Sequence, residues 1–204
     1  MAGERLLMSD AIFVRLGLAI AITTFSGCAA SGNERTYVND EYGFKVKFPE
    51  SVNVCTALSG SHPVGYYAWL GANTDCEAAK PAGIGSISIT AGYNASFEPA
   101  PSLASCRDGE APAEIAIDLN RLAFPASPSV RCAVRRDDGT YEVHVASQGG
   151  RQRGMDLPPA IRNAPAVDYN AVLRTNSRRL KGDMKMFRTV LSQTSVLPRE
   201  APLR

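Results

Sequence analysis

Short apolar runs with a period of two are the feature that most constrains this chain. Phe44, Val46 and Phe48 alternate with Lys45 and Lys47, and Pro49 ends the run. Such a segment buries one face and wets the other, as a half-buried β-strand does. With Tyr37-Val38 before it and Asn39-Asp40-Glu41 as the turn, it predicts a hairpin. Gly85-Ser86-Ile87-Ser88-Ile89-Thr90 repeats the alternation, and the aromatic-rich stretch Gly65 to Leu70 reads as extended. The clearest hairpin joins Val130, Cys132 and Val134 to Tyr141, Val143 and Val145 through Asp137-Asp138-Gly139-Thr140. That pattern places Cys132 on the inward face.

The rest of the chain is punctuated differently. Glu98 to Pro112, with its prolines and Cys106, reads as a stapled loop, and Gly149 to Pro165 as a long exposed one. Glu114 to Phe124 supports two readings. Ile115, Ile117 and Leu119 alternate like a strand, whereas Leu119, Leu122 and Ala123 suit a helix. From Asp168 to Gln193, Tyr169, Leu173, Leu180, Met184, Phe187 and Leu191 recur at helical spacing. Arg174, Arg178, Lys181, Lys185 and Arg188 follow a parallel series, nearly opposite on a helical wheel. The expected fold is therefore α+β, an antiparallel sheet packed against a long C-terminal amphipathic helix.

The N-terminus speaks to location. Leu16 to Phe25 is apolar, follows Arg5 and Arg15, and ends in Phe25-Ser26-Gly27-Cys28. About ten apolar residues suit a secretory signal and fall short of the roughly 20 that span a bilayer. Two small residues before the cysteine resemble a bacterial lipobox. On that reading residues 1–27 are removed, Cys28 carries lipid, and 28–36 form a tether. One domain follows over 37–195, with a tail over 196–204. Glu4 and Asp10 are unusual in a basic leader, which makes Met8 an alternative start. Cleavage without lipidation and a buried helical cysteine are the blander readings of Cys28. Ala29 after the cysteine points to the periplasmic face of the outer membrane.

Cys55, Cys76, Cys106 and Cys132 remain, and in an oxidising compartment four cysteines suggest two disulfides. Sequence neighbours, Cys55–Cys76 and Cys106–Cys132, close the shortest loops and are the favoured pairing among three. No pair has CxxC spacing and only two histidines exist, so neither a zinc site nor another cofactor is implied.

The opening Tyr37, then Tyr42-Gly43-Phe44 and Val46-Lys47-Phe48-Pro49, resembles the start of PsbP-like and DcrB-like domains. Those close with an amphipathic helix against the sheet. The resemblance implies an αβα sandwich and a binding role, and supplies no catalytic residue.

The residues offer little to catalysis. His62 lies in a turn-like Ser59-Gly60-Ser61-His62-Pro63, and His144 sits on the polar side of a strand. No nucleophile elbow, phosphate-cradling glycine loop or His-Glu-x-x-His is present. Charge is more telling. Residues 29–150 carry 9 basic and 14 acidic side chains, and residues 151–204 carry 11 and 4. A cationic surface centred on Arg174, Arg178, Lys181, Lys185 and Arg188 would suit anionic lipid, lipopolysaccharide or an acidic protein. The blander reading is a solvated face. Nucleic acid is not expected outside the cytoplasm. The expectation is an envelope-anchored, non-catalytic binding module, such as an immunity protein against a periplasmic toxin. An envelope-assembly component and a hydrolase using Ser61 or Ser59 are the alternatives.

Overall fold

A computed structural model describes residues 34–57, 64–71, 83–94, 106, 111–125, 129–150 and 166–196. Apart from Ile115 to Leu119, which turns into a short helix, the period-two runs all form strands. They are β1 (Glu34–Asn39), β2 (Phe44–Pro49), β3 (Val52–Ala57), β4 (Val64–Leu70) and β5 (Gly85–Tyr93). After a one-turn helix α1 (Ala116–Leu119) come β6 (Ser129–Arg135), β7 (Thr140–Gly150) and β8 (Ala166–Asn176). Helix α2 (Leu180–Ser192) and the short β9 (Ser195–Val196) follow. The strands form two antiparallel sheets, β1-β2-β9 and β3-β4-β5-β8-β7-β6. Strand β1 opens at Glu34, so residues 34–36 of the expected tether belong to the smaller sheet.

The α+β sandwich with a long C-terminal helix is overturned. Among the described residues the fold is mostly β, and its two helices span 4 and 13 residues. The error lies in Tyr169 and Leu173, which are four apart and so share a face in a strand as well as in a helix. Val167, Tyr169, Ala171 and Leu173 are all buried, alternating with the half-buried Asp168, Asn170 and Val172. This is β8. Asn176 then ends the strand. Its Oδ1 accepts the backbone N–H groups of Arg178 and Arg179 at 3.0 and 3.2 Å, and α2 starts only after that turn.

The core lies between one face of the six-stranded sheet and two covers, the β1–β2 hairpin and α2. Ile87, Ile89, Val143, Val145, Tyr169 and Leu173 supply the sheet side. Phe44, Val46 and Phe48 come from the hairpin, and Phe187, Val190 and Leu191 from α2. Asn39 Oδ1 accepts the Tyr42 N–H at 2.9 Å in the hairpin turn, where Gly43 adopts a φ of 65° that suits glycine. Three tyrosines of the larger sheet then donate to carbonyls of the hairpin. Tyr66 reaches Val38 at 2.7 Å, Tyr169 reaches Tyr42 at 2.7 Å, and Tyr93 reaches Glu41 at 3.2 Å. The hairpin is thus docked both by ring packing and by hydroxyl–backbone bonds.

A second latch holds α2. Asp183, in its first turn, is 5 % exposed and accepts from Thr175 Oγ1 at 2.5 Å. Arg179 lies against the same carboxylate at 3.3 Å and donates through Nη2 to the Leu70 carbonyl at 2.7 Å. Gly85 makes this approach feasible, since a Cβ there would lie 2.3 Å from Asp183 Oδ2.

The β6–β7 hairpin forms with Cys132 opposite His144 and Ala133 opposite Val143. Cys132 therefore shares a face with His144, away from the core, contrary to the inward placement expected. It is nonetheless fully buried, joined to Cys106 in a disulfide with a Cα–Cα distance of 6.0 Å.

Candidate functional site

The five cations expected on one helical face divide into three groups. Arg174 is on β8, Arg178 is in the turn after it, and only Lys181, Lys185 and Arg188 are on α2. On α2 their four- and three-residue spacing confines them to one narrow stripe. That stripe lies beside the buried face, with Met184 at the boundary. Against it stands the segment after α1. Ile115, Leu119 and Leu122 point into the core at helical spacing and are each 1 % exposed. Asp118 and Arg121 are left at the surface, 3.9 Å apart.

The result is a groove of about 160 Å³ between the two helices. Arg121, Lys181, Lys185 and Arg188 line it, with Leu122 and Met184 as an apolar floor and Asp118 as its one carboxylate among the described residues. Lys181, Lys185 and Arg188 make no ion pair with a carboxylate among the described residues. Four cations facing one carboxylate attract anions. Arg121 and Asp118 were not anticipated. Their signal was the Ile115, Leu119, Leu122 spacing, which leaves 118 and 121 facing solvent.

Arg174 takes part in a different site, on the coreless face of the larger sheet. Glu142 accepts from Arg174 Nε at 2.9 Å and from Arg136, and His144 Nε2 lies 3.5 Å from the same carboxylate. Burial pushes the Glu142 carboxyl up, but the Arg136 hydrogen bond and the charges of Arg174 and Arg136 override it and hold it below the ordinary range. Burial lowers the His144 imidazole, against the pull of Glu142. The adjoining cleft, about 580 Å³, is larger than the helix groove and contains Asp137 and Asp138 beside these residues. Among its described residues two arginines face three carboxylates, which leaves no cationic excess. Charge, not size, therefore selects the groove between the helices as the anion-binding candidate.

Several expected residues fall elsewhere. Cys28, Cys76, Ser59, Ser61 and His62 lie outside the described residues. Cys55, on β3, is disulfide-bonded. Among the described residues no three His, Cys, Asp or Glu side chains cluster as metal ligands, and no helix is long and apolar enough to cross a membrane. The chain matches no protein-family model and no curated protein.

Proposed function

We propose that this protein is a lipid-anchored, non-catalytic binding module of the bacterial envelope that engages an anionic partner through the α1–α2 groove. The observation that carries this reading is the set Arg121, Lys181, Lys185 and Arg188 around a floor of Leu122 and Met184, with Asp118 the one carboxylate opposing them among the described residues. Each of the three lysine and arginine side chains on α2 is exposed, so their positions answer to no packing need. The anchor rests on Phe25-Ser26-Gly27-Cys28. Intact mass of the membrane-extracted protein tests the anchor: acylated Cys28 is expected, and a soluble product with an unmodified cysteine refutes it. Retention of envelope components on the immobilised protein tests the groove. Retention should fall with added salt, because exposed charges are screened beyond about 8–10 Å at physiological ionic strength. It should be lost in K181E/K185E/R188E. Equal retention by that variant assigns the cations to mere solvation.

A further inference from the structure

The anionic partner itself can be specified further, on the strength of the binding reading just given. We propose that it is the phosphate layer of an anionic phospholipid bilayer, and that the α1–α2 face lies on the membrane with Ile117 entering the interface. Ile117 is 72 % exposed, the most exposed large apolar side chain among the described residues. It immediately precedes Asp118 of the groove, and Arg121 follows four residues on. An isoleucine displayed to water beside a cluster of cations gains nothing from a purely ionic partner such as free phosphate or polyglutamate. A bilayer offers both phosphates for the cations and an apolar layer for the side chain. The stems of Lys181 and Lys185 can lie along that layer with their ammonium groups at the phosphates.

The path of the chain agrees with this placement. Gln193, just past the end of α2, donates to the Glu34 carboxylate where β1 begins. Cys28 is six residues before Glu34, a reach of about 20 Å at full extension. A lipid there would keep the domain within reach of a bilayer and raise the local concentration of headgroups around it.

The test uses the full chain carrying Cys28→Ser, which removes the lipid. Sedimentation is measured with phosphatidylcholine vesicles that either contain or lack phosphatidylglycerol. The apolar N-terminal segment contributes to both, so the ratio is the readout. A net of three cations, each worth roughly fivefold near an anionic surface, gives a preference of about a hundredfold for the anionic vesicles. K181E/K185E/R188E should abolish that preference, and salt should erase it. Ile117→Gln should weaken anionic-vesicle binding roughly tenfold and leave its salt slope unchanged. Polyglutamate and inorganic phosphate serve as soluble competitors. Equal binding to both vesicle types, with polyglutamate or phosphate bound through the same cations, overturns the bilayer and leaves the groove as a site for a soluble anion. Binding to none of the probes overturns the groove as well. A bilayer preference that survives in K181E/K185E/R188E, or an Ile117→Gln variant that binds like the parent, refutes this placement of the face. Unchanged near-ultraviolet circular dichroism checks the fold, and should K181E/K185E/R188E fail it, K185E and the salt titration decide.

Discussion

Tyr169→Phe removes one oxygen atom from the centre of the molecule. Tyr169 and Tyr42 are each 0 % exposed, and the bond between the Tyr169 hydroxyl and the Tyr42 carbonyl is 2.7 Å long. The ring stays, so its stacking on Phe124 at 5.6 Å and its edge contact with Phe44 at 5.9 Å persist. What is lost is a donor to a carbonyl that water does not reach. Leaving a buried acceptor short of its partner costs about 1–3 kcal/mol. At about 2 kcal/mol, the thermal midpoint of a chain this size should drop by roughly 4–8 °C. Tyr93→Phe is the internal control. Its hydroxyl lies 3.2 Å from the Glu41 carbonyl and the side chain is half-buried, so its loss should cost about 0.5–1 kcal/mol. Equilibrium urea unfolding under non-reducing conditions measures both variants. Hydrogen exchange should show faster opening at Tyr42 and Phe44 in the Tyr169→Phe variant. If both variants unfold at the parent's midpoint, hydroxyl bonds do not hold the hairpin and ring packing alone docks it.

Other perturbations test other parts of the same frame. Replacing Cys106 and Cys132 together by Ala opens a loop of 26 residues, which in the chain-entropy account costs about 3.5 kcal/mol; an unfolding midpoint equal to the parent's contradicts that constraint. Phe187→Ala, at a fully buried site in α2, should cost about 3–5 kcal/mol in urea unfolding, and a loss below about 1 kcal/mol would show that α2 does not close the core. Acid should weaken the fold in two stages. His144 is lowered from its ordinary 6.5 and Glu142 from 4.5, so the folded state holds fewer protons than the unfolded chain. Their stabilisation is complete above those ordinary values and is lost as pH falls through each lowered folded value. His144→Gln should flatten the upper stage of a pH–stability curve, and an unaltered curve refutes the assignment.

Strand content was legible at Phe44 to Phe48 and in the β6–β7 hairpin, where one apolar face alternated with a polar one, but the same alternation at Ile115, Ile117 and Leu119 belongs to a helical turn. Two other things were not legible. A four-residue spacing serves a helix and a strand equally, so Tyr169 and Leu173 carried no information about which one they belonged to. Asn176 did, because its side chain favours the turn that separates β8 from α2. The face of Cys132 was also hidden, because an edge strand covered by a disulfide can bury an apolar residue away from the core. The cationic site was half legible. Lys181, Lys185 and Arg188 share one stripe on any helix, but Arg121 joins them only through the packing of α1, across some sixty residues of sequence.

The order β3-β4-β5-β8-β7-β6 means that the larger sheet is two meanders, each contiguous in sequence, meeting along a single pair of strands. Every other pairing in that sheet links neighbours along the chain, whereas the β5–β8 seam joins residues such as Ile87 and Leu173. Each half can therefore gather locally, and the costly step is bringing the halves together. Phe44 straddles that boundary, with its ring against Tyr66 of one meander and Tyr169 of the other. The N-terminal hairpin acts as a clasp. Its apolar side has no complete seat until both halves exist, so a chain emerging N-terminus first carries Phe44, Val46 and Phe48 unsheltered until β8 and α2 arrive.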